Sequence, residues 1–101
     1  MAKHVIETVT FTLNEGVRRE DFAAAADQFN AWIRARPGFI ARRLSCSADG
    51  TWIEHIEWAS MADAKQAAAQ IGQAEGGAPF LSAIDGVSAK MTHSELEVAV
   101  N

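Results

Sequence analysis

Apolar and polar residues alternate along this chain in two different rhythms. Val5, Val9, Phe11 and Leu13 stand in one phase, with Ile6, Thr8, Thr10 and Thr12 in the other. Period two with β-branched enrichment predicts a strand over 5–13, which Asn14-Glu15-Gly16 breaks. The rhythm then changes. Phe22, Ala25, Ala26, Phe29, Trp32 and Ile33 recur at helical spacing and predict one amphipathic helix over 19–35. Glu20 and Asp21 in its first turn suit the helix dipole. Pro37-Gly38 ends it, because the residue before proline avoids helical geometry.

Period two returns over 39–58, interrupted by Asp49-Gly50, a strong hairpin signal. A two-residue loop puts Trp52, Glu54, Ile56 and Trp58 on one face with Ser45, Arg43 and Ala41. The other face then carries Ile53, His55 and Glu57 with Cys46, Leu44 and Arg42. A three-residue loop swaps one strand's neighbours. Ser60-Met61-Ala62-Asp63 reads as a capping box, with Asp in place of Glu or Gln, opening a helix over 61–71. A loop holding Gly76-Gly77 follows, then a short helical turn over 79–84 stopped by Asp85-Gly86. No Lys-Ser/Thr follows those glycines to make a phosphate cradle. A closing strand is predicted over 87–100, with a bulge or change of environment after His93, where the apolar phase switches.

The order is βαββαβ. It predicts an α+β, ferredoxin-like subunit with a four-stranded antiparallel sheet and both helices on one face. One domain over 1–101 fits this length. The uncovered sheet face calls for a partner, most simply a second copy.

Composition narrows the function. A net charge of −4 argues against nucleic acid, which wants a basic surface. Arg34 and Arg36 suit a helix C-terminus. Cys46 is the lone cysteine, so a disulfide framework and a CxxC metal site are excluded, and it reads as a small buried apolar residue. With neither a signal-peptide pattern nor a membrane-length apolar run, the expectation is a cytoplasmic protein that does not bind membranes.

Pro37-Gly38-Phe39, the hairpin Asp49-Gly50-Thr51-Trp52, and Glu57-Trp58-Ala59-Ser60 followed by Asp63-Ala64 resemble the antibiotic biosynthesis monooxygenase-like family of the dimeric α/β-barrel superfamily. The resemblance runs from Val5 to about Leu96. It implies a homodimeric α/β barrel, two sheets packed face to face, with a pocket between sheet and helices in each subunit. The family includes cofactor-free oxygenases of polyketide quinone synthesis, haem-degrading enzymes and proteins of unknown role. The haem-degrading branch uses a first-strand asparagine, plus a tryptophan and a haem-ligating histidine on or after the second helix. Here the first-strand position corresponds to Glu7, and 61–85 holds neither Trp nor His, which argues against that mechanism.

With strands in the order 4-1-3-2, Glu7, Glu54 and His93 come from three adjacent strands on the faces of Val9, Trp52 and Met91. Arg43 stands beside Glu54 in the two-residue register. Glu7 and His93 are the candidate catalytic pair. A carboxylate in apolar surroundings has its ionised form disfavoured and becomes a better general base, and a histidine neighbour can share the proton. In a cofactor-free oxygenase such a base would deprotonate a phenol-like substrate, whose anion gives an electron to oxygen. Glu54, Arg43, Trp32, Trp52 and Trp58 are candidate substrate-binding residues. Each has a bland counterpart: a satisfied Glu–His hydrogen bond, and tryptophans that simply fill the core. A Glu7–Glu54–His93 metal site is a third reading, without a recognised local spacing. His55 and Glu57 point to a dimer interface with Arg42 as cross-strand partner, and His4 to solvent. The expected reading is a cofactor-independent monooxygenase acting on an aromatic or polyketide-like small molecule, with no cofactor or metal. The rival is a non-catalytic small-ligand binder.

Overall fold

In the computed structural model, which describes residues 3–101, the chain runs β1 (Val5–Phe11), α1 (Arg19–Gln28), α2 (Asn30–Arg34), β2 (Phe39–Cys46), β3 (Trp52–Trp58), α3 (Met61–Gln70), a 3₁₀ turn (Ile71–Gln73), α4 (Ala78–Ala83) and β4 (Lys90–Glu95). The strands form one antiparallel sheet in the order β2-β3-β1-β4. This is the α+β ferredoxin-like βαββαβ topology that the order of patterns predicts. Alternation decides which side of the sheet is covered. Val5, Glu7 and Phe11 of β1 and Trp52, Glu54, Ile56 and Trp58 of β3 are buried, and their neighbours are half-buried. Phe22, Ala26, Phe29, Ile33, Ala64, Ala67 and Phe80 from the helices complete that core. Among the described residues no helix is long and apolar enough to cross a membrane.

The hairpin takes the longer of its two loops. Ser47 N–H donates to Thr51 O at 2.8 Å and Gly50 N–H to Ser47 O at 3.1 Å, leaving Ala48-Asp49-Gly50 as a three-residue loop. Gly50 holds φ +89°, the left-handed residue such loops need. The Asp49 carboxyl is held below the usual carboxylate range, chiefly by the Ser47 hydroxyl and then by the Thr51 backbone N–H. The register follows: Cys46 opposes Trp52, Leu44 opposes Glu54 and Arg42 opposes Ile56. Arg42 therefore lies on the helix-facing side. Arg43 opposes His55 on the open side. The two-residue register, with Arg43 beside Glu54, is not the one adopted. Cys46 is half-buried against the core rather than fully enclosed.

The helix predicted over 19–35 divides at Phe29. Phe29 N–H is shared between Ala25 O and Ala26 O, both at 3.2 Å. Ala26 O also accepts from Arg42 Nη1 at 2.9 Å. A side chain from another element thus occupies the carbonyl that a continuous helix would offer to Asn30, and such insertion breaks or kinks helices. Arg36, past the end of α2, donates to Trp32 O at 3.2 Å and lies 4.4 Å over the Trp32 ring. That places a cation at a helix C-terminus, as its position suggests.

Ser60 caps α3 as expected, its Oγ accepting from Asp63 N–H at 3.2 Å. Asp63 also abuts Gly38, which has φ +80°. A Cβ on Gly38 would collide with the Asp63 carboxylate. Gly38→Ala combines a disfavoured φ with a clash at a capping side chain, so a loss of about 1–3 kcal/mol is expected. Urea unfolding of the two proteins measures it; equal midpoints would mean that Asp63 moves aside freely.

The closing strand is shorter than predicted. Residues 86–88 form a turn, in which Asp85 Oδ1 accepts from Val87 N–H at 3.2 Å. β4 stops at Glu95 because its neighbour β1 begins at Val5; Leu96 N–H makes a last bond to His4 O at 2.8 Å. The switch of apolar phase after His93 marks that change of environment, with β1 and β4 paired in unbroken register. Beyond it Val98 and Val100 are 82% and 92% exposed. On the open sheet face Ile6, Thr8, Ile53 and His55 are half-buried. His4 is not merely solvated: its Nδ1 lies 2.7 Å from Glu57 Oε2.

Candidate functional site

A cavity of about 270 Å³ lies between the sheet and its helices. The sheet supplies Glu7, Val9, Glu54, Ile56 and Trp58 as its floor. Phe29, Trp32 and Ile33 form one wall, and Ala67, Ala68 and Ile71 another. Gly86, Ala89 and Met91 also line it and are exposed, which puts the mouth beside β4 and the turn before it. No Lys, Arg or His is among the described residues lining the cavity. Apart from two carboxylates the surface is essentially apolar.

Those carboxylates have different surroundings. Glu7 is 5% exposed and reaches the cavity from the central strand β1. His93 stands opposite it across the β1–β4 pairing, with Nε2 3.0 Å from Glu7 Oε2. His93 does not line the cavity; it backs the carboxylate from the edge strand and keeps 20% of its side chain exposed. Trp58 Nε1–H donates to the other oxygen, Oε1, at 3.4 Å, a long bond. A carboxylate can accept about four hydrogen bonds, so Glu7 keeps acceptor capacity toward the cavity. The predicted Glu7–His93 pair is thus brought together.

Glu54 is also 5% exposed, but Arg42 holds both of its oxygens: Nε donates to Oε1 at 2.6 Å and Nη2 to Oε2 at 2.9 Å. Arg42 Nη1 donates to Asn30 Oδ1 at 2.8 Å as well as to Ala26 O. Among the described residues no buried side-chain polar atom lacks a partner. Such a saturated, bidentate ion pair is poorly placed to move a proton or hold a substrate anion.

Two of the three tryptophans fall where the sequence suggests. Trp32 and Trp58 line the cavity. Trp52 does not; it packs edge-on against Phe22, with ring centres 4.8 Å apart, and lies under Arg19 at 5.9 Å. It is a core residue, because Phe22 fills the space above it. Arg43 is excluded from the cavity by the hairpin register. The residues missed are Arg42 and Asn30. The signal for Arg42 was the three-residue loop; Asn30 carried none. Among the described residues no three His, Cys, Asp or Glu side chains gather to hold a metal ion, and in the Glu7–Glu54–His93 set Glu54 is engaged by Arg42.

The fold is of the ferredoxin-like α+β class, and solved structures similar to it include antibiotic biosynthesis monooxygenase proteins. One such structure is a mutant of SnoaB, a cofactor-independent oxygenase from Streptomyces nogalater, with a TM-score of 0.77, 16% identity, and 98% of both chains covered. Another is a candidate antibiotic biosynthesis monooxygenase from Bordetella bronchiseptica, with a TM-score of 0.74, 17% identity, and 95% of this chain and 99% of that one covered. A third is a dimeric protein of unknown function and ferredoxin-like fold from Bacteroides fragilis, with a TM-score of 0.64, 19% identity, and 92% of this chain and 96% of that one covered. No family model and no curated protein matches the sequence. The likeness is one of fold.

Proposed function

We propose that this protein is a small-molecule enzyme resembling the cofactor-independent monooxygenases and acting on a hydroxylated aromatic or polyketide-like substrate. The observation that carries this reading is Glu7: a buried carboxylate that faces an apolar cavity and is backed by a histidine. Glu7 would take the phenolic proton, and His93 would hold or pass it on. The resulting electron-rich anion gives an electron to dioxygen, and the two radicals combine to form the new C–O bond. One oxygen atom stays as a carbonyl; the other leaves as water with the two displaced hydrogens. At about 270 Å³ the cavity lies just below the ~300–1,000 Å³ range usual for ligand sites, which suits a compact fused-ring substrate. Its lack of a basic lining residue favours an uncharged ligand over a carboxylate or phosphate. The test is dioxygen uptake with a panel of anthrones and naphthols, scored together with binding. Uptake with quinone formation supports the reading. Tight binding without uptake favours a ligand carrier, the alternative to which the largely apolar lining also lends itself.

We further propose a homodimer in which a second copy covers the open sheet face. Ile6 and Ile53 on that face, and the bare Val98 and Val100 beyond β4, support it. The Bacteroides fragilis protein of similar fold is dimeric. Sedimentation velocity at micromolar protein should give twice the chain mass, and Ile53→Lys, a charge at the middle of that face, should shift it toward monomer. A wild-type monomer at these concentrations would rule the arrangement out.

A further inference from the structure

We infer that Arg42 is a positioning residue that shapes the cavity for flat ligands. This rests on the cavity being a ligand site. The Arg42 side chain is 7% exposed and does not line the cavity; it acts through the groups it holds. On one side its guanidinium locks both oxygens of Glu54, in the cavity floor. On the other, Nη1 takes Ala26 O and Asn30 Oδ1, from residues that flank the α1–α2 junction at Phe29. The guanidinium carbon also lies 5.5 Å from the Phe29 ring centre and 5.3 Å from that of Phe80.

The consequence is a wall of stacked rings. Phe29 is stacked on Trp32 at 5.3 Å and on Phe80 at 5.3 Å, with 13° between planes in both cases. All three rings line the cavity. Phe29 and Trp32 flank the point where the helix ladder is interrupted, so their directions depend on that interruption. Without Arg42, Ala26 O is free to accept from Asn30 N–H, the ladder closes, and Phe29 and Trp32 turn about the helix axis. With their faces engaged on one another, the near-parallel rings turn aligned edges to the cavity, and such edges favour the π face of a planar ligand in edge-to-face contact. Rotated rings lose that selectivity while keeping the cavity apolar.

The experiment compares two neutral, single-hydroxyl probes, flat 2-naphthol and globular 1-adamantanol, on the full chain by calorimetry. Wild type is expected to prefer 2-naphthol. The double variant Arg42→Met/Glu54→Met removes the clamp without stranding a buried charge, and should lose that preference by about tenfold or more, since small displacements of positioning groups have effects of that size. Asn30→Ala, which removes one clamp bond and no charge, should lose part of it. Lys65→Gln, exposed on α3 and off the cavity, leaves the clamp intact and should keep the ratio. An unchanged ratio in the double variant and in Asn30→Ala, or a wild type indifferent to shape, overturns the role of Arg42 while leaving the cavity a ligand site. Binding of neither probe to wild type overturns the ligand-site reading, and this inference with it.

Discussion

Glu7→Gln is expected to lower turnover of a hydroxylated aromatic about 100-fold or more, with little change in Tm. A positioned general base contributes about 10²–10⁴ in rate, and glutamine removes the base while keeping the shape. The amide can still accept from Trp58 Nε1–H, and His93 can present either a donor or an acceptor to it. The buried pair is thus rearranged, not stripped of partners, and the fold has no reason to fail. The measurement is kcat and Tm on the same preparation, with dioxygen uptake as the rate. His93→Asn should lower the rate less, because His93 stands behind the carboxylate and off the cavity surface. Wild-type turnover in Glu7→Gln would remove Glu7 from the chemistry. A fall in rate matched by a fall in folded fraction would leave the pair a structural one.

The fold was legible because each element is announced by its own period. Alternation along Val5–Phe11 and Trp52–Trp58, helical spacing from Phe22 to Ile33, and the Ser60 cap are local signals, and the βαββαβ order admits few topologies. Strand order plus side-chain parity then sufficed to bring Glu7 against His93. The misplaced residues share a physical cause: each depends on something distant. Asp49-Gly50 marks a hairpin but not its loop length, since a glycine with positive φ serves a two- or a three-residue loop equally well. One residue of slip exchanged Arg42 for Arg43 at the cavity side. The helix over 19–35 reads as continuous because its own residues favour that; the break at Phe29 comes from an arginine on β2. Parity put Trp52 on the correct face, but only the packing of Phe22 above it shows that it is kept off the cavity wall, which Phe11 beside it does line. Local pattern therefore reads faces well, and reads poorly which residues of a face line a cavity.

Arg42→Met alone should destabilise the protein by about 3–5 kcal/mol, the effect of removing one partner of a buried ion pair. Glu54 would be left 5% exposed and beside apolar cavity walls, with both oxygens deprived of their donors. Ala26 O and Asn30 Oδ1 would lose a donor at the same time. Against a total stability of about 5–15 kcal/mol for a domain, this places the single variant near the limit of folding. Glu54→Met alone should be comparably severe, because it leaves the guanidinium with only the Ala26 and Asn30 oxygens. The double variant should recover most of the loss. Two methionines fill a similar volume, strand no charge, and pack against Phe29 and Phe80 where the guanidinium now lies. Urea unfolding of the four proteins makes a double-mutant cycle whose coupling should exceed about 2 kcal/mol. Additive losses would mean that the pair is solvated in the working protein, and the short Arg42–Glu54 bonds would then count for little in holding the floor of the cavity to the helix junction.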